Sequence, residues 1–432
     1  MKTNRRSRMP MCALLLALLA GGALAGDVPG AAQASLALGA DVQELLQWAD
    51  AHNPELAAMR HDIDAANERI APAGALPDPM LRVEFMDFAG PGAPDSFNPL
   101  PGQGSGTKYT LSQSIPLWGK RDLRKAVATA ELDQVKGRRQ TSVAAIHADI
   151  KSAYAQYYQA VGMQKLNQDI LRLLDDLEAV TRARYASGLV PQQDVIRAQV
   201  EKTALQSDNI SLQTEQHHAI ARLNAVLGRP QHTPLAEPQT LRSIAPDRLD
   251  AAVLQQKLAR SNPQLATQSA QIATADATRR LVEKNRYPDL TLGIAPTQRG
   301  GSIDSWEAMV ELNIPLRLDT RRSQEAEANA MLAAARERQQ AIVNQIEGDL
   351  MQSLAALDAA HKQEQLIVGT LLPQAELTFR SALTGYETGK VDFATLLDAQ
   401  RAIRRARQDS LKARVEQDLR LTEIEKMVGE EL

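Results

Sequence analysis

Cysteine occurs once in the 432 residues, as Cys12, and aromatic side chains make up only 3%. A lone cysteine inside the apolar run from Met11 to Leu19 excludes a disulfide framework. The run follows Lys2, Arg5, Arg6 and Arg8 and precedes Ala23-Leu24-Ala25. That charged, apolar, small-residue order predicts a secretory leader over residues 1–25, cut after Ala25, with residues 26–40 as a linker. Cys12 would then leave with the leader, and the exported chain would have no thiol chemistry and no lipid attached through cysteine. Removing the leader's four basic residues leaves 45 basic against 52 acidic residues, a net charge of −7. That balance disfavours nucleic acid as a partner.

Long hydrophobic runs are also missing. After the leader, no segment approaches the roughly 18 consecutive apolar residues of a membrane-spanning helix. Any span of a membrane must therefore be built from strands closed into a barrel, because open strand edges are unsatisfied in lipid. Catalytic signatures are absent too, with neither H-E-x-x-H nor G-x-S-x-G in the chain. No enzyme activity and no cofactor are expected.

Alanine, glutamine, glutamate and arginine are abundant instead, the composition of long helices with thin cores. Proline is absent from Gly119 to Ser187 and again from Arg317 to Leu372. A helix of almost 70 residues would be about 100 Å long. Within the first stretch Ile146, Ile150, Ala153, Tyr157 and Ala160, then Ile170, Leu173, Leu177 and Val180, step by threes and fours like a coiled-coil seam. Ile346, Leu350, Leu354 and Leu357 form a similar stripe in the second.

These features occur twice. Asn53-Pro54-Glu55-Leu56 returns as Asn262-Pro263-Gln264-Leu265, and Ile115-Pro116-Leu117 returns as Ile314-Pro315-Leu316. Tyr185-x-x-Gly188-x-Val190 returns as Tyr386-x-x-Gly389-x-Val391, and Ala198-Gln199 as Ala399-Gln400, the offsets being 209, 199, 201 and 201. Four kinds of marker in one order identify an internal two-fold repeat. Repeat 1 spans 41–246, with a strand hairpin over 80–115, a helical hairpin over 119–228 and a proline-rich belt over 228–246. Repeat 2 spans 247–432, with a strand hairpin over 289–314 and a helical hairpin over 317–429.

Gly188 and Gly389 sit where a helix needs a left-handed residue to stop. Returning helices are expected from Pro191 to Leu227 and from Asp392 to Val428. They are only about half as long as the descending ones, so short helices over 41–70 and 248–286 must extend each stack, with Asn53 as a cap and Pro54 in the first turn. In the strand regions Leu81, Val83 and Phe85 alternate with Arg82 and Glu84, and Tyr109, Leu111, Gln113 and Ile115 alternate with polar residues from Lys108 to Ser114. Leu290, Leu292 and Ile294, and then Trp306, Ala308, Val310, Leu312 and Ile314, repeat the pattern, with hairpin loops expected over 89–106 and 297–302. Such two-faced strands suit an outer-membrane barrel, in which Arg82, Glu84, Lys108, Glu307 and Glu311 would face a watery lumen. Four strands are too few to close a barrel, so several chains must combine.

Strand hairpin, long helix, glycine turn and returning helix, twice over behind a leader, resemble the TolC family of outer-membrane efflux channels over nearly the whole exported chain. Gln113-Ser114-Ile115-Pro116-Leu117-Trp118-Gly119-Lys120-Arg121 and Tyr185-Ala186-Ser187-Gly188-Leu189-Val190 through Asp194-Val195 carry the resemblance most specifically. It implies a mainly α fold with a small β part: a homotrimer whose twelve strands form one barrel, continuous with a long periplasmic helical tunnel. It further implies an inner-membrane pump of the RND type, a periplasmic adaptor (membrane fusion protein) and outer-membrane lipid as partners. By the same resemblance, Ser187, Gly188 and Leu189, with Thr388, Gly389 and Lys390, form a periplasmic tip where the adaptor docks. Asp194 and Tyr386 match positions that hold the tip closed. Pro116, Gly119, Lys120 and Arg121, with Pro315, mark the exits from the barrel. The chain has Val391 where the drug-exporting archetype has an arginine, leaving Lys390 as a basic substitute for pairing with Asp194. Trp118-Gly119-Lys120-Arg121, together with Leu76-Pro77-Asp78-Pro79, resembles the heavy-metal branch of the CzcC and CusC type. Unlike CusC-like members, this chain has no cysteine at its expected cleavage site.

Other signals have plainer readings. The adjacent His217 and His218 point about 100° apart on a helix and lack His or Cys partners three or four positions away, so they read as solvated or packing residues rather than a metal site. The eleven methionines show no soft-metal clustering. Gly102, Gly104 and Gly106 precede a strand rather than a helix, which marks a flexible hairpin loop, not a phosphate cradle. Arg401, Arg404, Arg405 and Arg407 read as an exposed helix face. The competing class is a soluble periplasmic coiled-coil protein, either an adaptor or a spacer. Adaptors have one helical hairpin, whereas this sequence has two alternating with strand pairs.

Overall fold

An asparagine followed by proline ends one helix and starts the next, and the chain uses this device twice. The computed structural model describes residues 38–86, 106–242 and 249–432. The expected leader, most of the linker, nearly all of the 89–106 loop and Pro246 lie outside the described residues. Asn53 separates α1 (Val42–His52) from α2 (Pro54–Glu68), and Asn262 separates α6 (Ala251–Ser261) from α7 (Pro263–Lys284). Each asparagine accepts backbone N–H groups of the helix it opens, satisfying donors that a helix start otherwise leaves bare. The expected single helix over 248–286 is therefore two helices, because Pro263 cannot donate into a preceding turn.

A short α3 (Ile70–Gly74) leads to β1 (Met80–Met86) and β2 (Gly106–Ile115). Then come α4 (Lys120–Ala186), which is 67 residues long, and α5 (Gln192–Val226). After α7 the chain forms β3 (Asp289–Arg299), β4 (Ser302–Asn313) and α8 (Leu318–Leu366). A π-turn over Ile367–Leu371 passes into α9 (Leu372–Glu387), and α10 (Phe393–Val428) runs back. Among the described residues no helix is long and apolar enough to cross a membrane.

The strands form one antiparallel sheet in the order β1-β2-β3-β4. Its register places Leu81, Leu111, Ile294 and Ala308 in one row across the sheet, and Glu84, Lys108, Thr297 and Ser305 in another. Side chains alternate across a strand, so Leu81, Val83, Phe85, Leu111, Leu292, Ile294, Trp306, Val310 and Leu312 share one face, all of them exposed. Arg82, Glu84, Lys108, Glu307 and Glu311 share the other, where the Lys108 ammonium donates to Glu307 at 2.6 Å. The loop expected over 297–302 is a two-residue turn at Gly300-Gly301. The strands run further than the apolar alternation shows because Thr297, Gln298 and Arg299 stay paired through a register shift at Thr297/Gln298.

Below the sheet the helices lie side by side. α4 packs on α5 and α2 along one flank and on α7 and α10 along the other, while α8 packs on the far side of α7 and α10. The short helices continue the returning ones. Asn53 Nδ2 donates to the Val226 carbonyl at 2.8 Å, and Asn262 Nδ2 to the Met427 carbonyl at 2.5 Å. Thus α2 sits on the C-terminus of α5 and α7 on that of α10, each asparagine satisfying a carbonyl that the helix end leaves free.

Buried residues fix the repeat more closely than its markers do. Ala128, Leu132, Ile146, Ile150, Tyr157 and Ala160 on α4 match Ala328, Leu332, Ile346, Leu350, Leu357 and Ala360 on α8, all buried and all 200 residues apart. Beyond the π-turn, buried Leu174, Thr181 and Ala198 match Ala375, Ala382 and Ala399 at 201. The π-turn lies between the two sets and absorbs the one extra residue without rotating the helix above it. Pro373, which has no N–H to continue an α-helical ladder, follows it directly. In α4 the buried row below Ile170 runs through Leu174, Leu177 and Thr181. Val180, expected in the seam, is exposed and Leu173 only half-buried.

Three apolar clusters hold this frame. Leu45, Leu56, Ile150 and Leu223 belong to one, Leu254, Leu350 and Ile424 to the second, and Leu174, Leu205, Phe393 and Leu396 to the third. Each of these fully buried side chains contributes about 2 kcal/mol.

Candidate functional site at the helix tips and the sheet junction

Both helical hairpins turn by the same device. Gly188 has φ +71°, donates its N–H to the Tyr185 carbonyl, and lets Leu189 N–H reach the Arg184 carbonyl at 2.9 Å. Gly389 has φ +73°, and Lys390 N–H reaches the Gly385 carbonyl at 2.8 Å. This 6→1 pairing needs a left-handed residue that only glycine supplies without strain. Ser187, Gly188, Leu189, Thr388, Gly389 and Lys390 are all exposed, so the six residues expected at the tip form the surface of two neighbouring turns. Arg184 Nη1 donates to the Glu387 carbonyl at 2.6 Å and ties the turns together. The helix after Gly188 starts at Gln192, one residue later than expected, with Pro191 just outside it.

Behind these turns lies a buried cluster containing both expected gate residues. Tyr386 is buried, its hydroxyl 3.4 Å from Thr181 Oγ1, with its ring against Phe393 and under the Arg184 guanidinium. Asp194, in the first turn of α5, is also buried. Burial holds the Asp194 carboxyl above its ordinary range; Arg197 opposes this and Asp392 adds to it. Burial likewise raises the Tyr386 phenol, and the charge of Asp194 adds to it, so the two groups share one environment. Within the chain the charges acting on Asp194 are Arg197 and Asp392.

Thr181, Arg184 and Phe393, with the ion pair from Arg401 to Glu201 that joins α10 to α5, belong to this cluster but were not legible in sequence. Arg184 lies one residue before the Tyr185 motif. Arg401 is exposed, as its basic helix face suggested, but its pairing with Glu201, 200 residues away, was not legible.

The sheet-to-helix junction is a second site. Trp118 and Gly119 have φ +64° and +75°, which turns the chain out of β2 into α4. A positive φ at tryptophan is costly and persists only where contacts over-determine it. Trp118 Nε1 donates to the Pro288 carbonyl at 3.1 Å, and its ring stacks on Tyr287. Lys120 is buried, its ammonium 2.8 Å from both the Tyr287 carbonyl and Asp289 Oδ1. Arg121 Nε donates to the Gly74 carbonyl at 2.9 Å. The exit of the first repeat, after Pro116, is therefore fastened to the entrance of β3 in the second. At the corresponding exit Ile314, Leu316 and Leu318 around Pro315 are exposed, and Arg286 after α7 lies 3.8 Å from Glu325 of α8.

Among the described residues no three His, Cys, Asp or Glu side chains converge as metal ligands. His217 Nδ1 hydrogen-bonds the Gln213 carbonyl of its own helix, and His361 bonds Gln417 and Gln365.

A two-faced four-stranded sheet set on long helices that end in paired glycine turns defines a channel subunit of the TolC-like fold. The chain belongs to the outer membrane efflux protein family, whose profile matches residues 45–229 and 254–430. Among curated relatives, the cobalt-zinc-cadmium resistance protein CzcC of Cupriavidus metallidurans is 24% identical over 376 residues, 85% of this chain and 84% of that protein. Nodulation protein T of Rhizobium leguminosarum bv. trifolii is 25% identical over 367 residues, covering 80% and 76%. Among solved structures, the outer membrane protein VceC of Vibrio cholerae superposes with a TM-score of 0.76 at 16% identity, covering 90% of this chain and 96% of that one.

Proposed function

We propose that this protein is the outer-membrane component of a tripartite efflux system, a passive conduit that carries substrate from an inner-membrane RND-type pump and a periplasmic adaptor to the exterior. The sheet carries this reading. Its exposed face is apolar, its other face charged, and among the described residues β1 and β4 each have a neighbour on one side only. A free edge cannot persist in lipid, and bacterial membrane barrels have at least eight strands. One chain supplies four, so copies must join. Three copies, as the resemblance implies, would close twelve strands, with Leu81, Leu111, Ile294 and Val310 toward lipid and Glu84, Lys108, Glu307 and Glu311 toward the lumen.

In this reading the helices extend into the periplasm and residues 1–25 serve as an export leader. The turns at Ser187-Gly188-Leu189 and Thr388-Gly389-Lys390 receive the adaptor, while Asp194 and Tyr386 hold the tip closed. The energy comes from the pump, and the chain performs no catalysis. Heavy-metal cations are the favoured cargo over organic compounds, supported by the likeness to CzcC and by the junction motif.

Cell fractionation with mass determination of the extracted protein tests the conduit. Outer-membrane recovery as a trimer is expected, and a soluble, non-trimeric product would support the coiled-coil spacer instead. Deleting the gene tests the cargo: greater sensitivity to cobalt, zinc or cadmium is expected, and sensitivity to organic antibiotics alone would overturn the metal assignment.

A further inference from the structure

The charge of the chain is unevenly placed. After the expected leader the sequence is acidic, yet the segments at the helix end of the sheet are basic: residues 76–80, 116–125, 284–289 and 314–325 hold nine Lys or Arg against five Asp or Glu. These segments meet the sheet at one level. The register sets Ile115 beside Leu290 and Leu290 beside Leu312, so the first strand exit, the entry to β3 and the second exit are neighbours, and β1 starts at Met80 opposite Ser112 near the same end. The other end of the sheet differs. There Arg299 lies 3.6 Å from Asp304, and residues 87–105 contain two acidic residues and no basic one.

The basic level also carries exposed apolar and aromatic side chains. Trp118 is 54% exposed and stacks on Tyr287, with Lys284 Nζ 5.5 Å and the Arg286 guanidinium 5.9 Å from the centre of the Tyr287 ring. At the second exit Ile314 continues the alternation of Val310 and Leu312 on the apolar face, and Leu316 and Leu318, 82% and 62% exposed, flank Arg317. Side chains of this kind at the foot of an apolar sheet face suit a lipid boundary better than a watery lumen. Among the described residues Lys284, Arg317 and Arg322 have no carboxylate within 4.0 Å, and Arg286 has Glu325 only at 3.8 Å.

We propose that this collar binds the headgroups of anionic phospholipids in the periplasmic leaflet. Lys284 and Arg286 meet phosphates at the first exit and Arg317 and Arg322 at the second, while Trp118, Leu316 and Leu318 lie against the glycerol and acyl region. Long basic side chains cover apolar surface with their stems and still reach a headgroup with their charge, and a guanidinium takes a phosphate through two parallel hydrogen bonds. Selectivity comes from the excess of positive charge, because a zwitterionic headgroup brings its own cation and an anionic one does not. The acidic composition of residues 87–105 gives the opposite end of the sheet no such attraction, so the chain distinguishes the two leaflets. This lipid class deepens the outer-membrane reading above and rests on it.

Nanodiscs made from equal amounts of phosphatidylglycerol and phosphatidylcholine test the collar with the full-length protein. After re-extraction in mild detergent, native mass spectrometry identifies the lipid that stays bound. Phosphatidylglycerol should be retained over phosphatidylcholine by about fivefold or more, the attraction of a single basic residue to an anionic surface. Lys284→Gln, Arg286→Gln, Arg317→Gln and Arg322→Gln together should bring the ratio close to one. None of these side chains is buried, so circular dichroism should match the parent. Arg299→Gln, at the other end of the sheet, should leave the enrichment unchanged. Equal retention by the parent, an enrichment that survives the four substitutions, or an equal loss on Arg299→Gln would overturn the collar and leave the channel reading standing. A protein that never enters the nanodisc bilayer would remove both.

Discussion

Asn53 and Val226 are joined by a 2.8 Å hydrogen bond from Nδ2 to the carbonyl, while Asn53 Oδ1 accepts from the N–H groups of Glu55 and Leu56. One side chain therefore closes the end of α5 and opens α2. In the second repeat Asn262 does both for α10 and α7.

Asn53→Ala removes the cap and leaves the Val226 carbonyl without its partner, so a loss of about 1–2 kcal/mol is expected. Denaturant unfolding would measure it. Gly429→Ala should cost more than Gly228→Ala. At Gly429 a Cβ would lie 2.6 Å from the Ser261 carbonyl, a backbone atom, whereas at Gly228 it would meet the Pro54 ring at 3.0 Å. Equal losses would show that the stacking is looser than these distances.

Lys120 is the buried tie between the two repeats at the junction. Lys120→Met keeps the aliphatic stem but takes the ammonium from the Tyr287 carbonyl and from Asp289, which keeps the Leu117 N–H, at a cost of about 1–3 kcal/mol. Differential scanning calorimetry should show a lower Tm for this variant, and Asp289→Asn should lower it less. A variant as stable as the parent would remove Lys120 from the junction.

Asp194 gives a prediction with a sign. Burial raises its carboxyl above the ordinary 3.8, so the folded chain holds this proton more tightly than the unfolded chain does. Its contribution is complete below about pH 3.8 and is lost as pH rises through the higher folded value. Asp194→Asn should therefore match the parent in acid and exceed it in stability at neutral pH. Asp194→Ala should nevertheless make cells leakier to small antibiotics, since a gate residue spends stability on closure. Unchanged permeability would end the gating role.

The π-turn gives a prediction about register. Removing Gly369, which is exposed and has nothing within 4 Å of its missing Cβ, together with Pro373→Ala, should give a continuous α-helix like α4. The buried rows above and below stay in phase at a uniform offset of 200, so the folded content should survive in circular dichroism. Removing Ala355 from α8 instead rotates every position beyond it by about 100° and should abolish assembly.

Much of this architecture was legible because it rests on local rules. Gly188 and Gly389 end helices by backbone conformation, Asn53-Pro54 and Asn262-Pro263 start them by capping, and Leu81 to Phe85 alternate with period two. Long-range pairs were not legible. Lys120 reaches Asp289 across 169 residues and Arg401 reaches Glu201 across 200, and no periodicity marks a partner at that distance. The π-turn was hidden for another reason: the offsets of 199, 201 and 209 do not show the step from 200 to 201 that appears once burial separates core from surface. Thr297 to Arg299 read as loop because polar residues on a charged sheet face resemble turn residues.

The most direct test of the conduit is single-channel recording of the detergent-extracted protein in a planar bilayer, with oligomer mass measured on the same sample. Discrete, stable conductance steps from a trimer are predicted. A monomer that never inserts would contradict the account and favour a soluble coiled-coil protein.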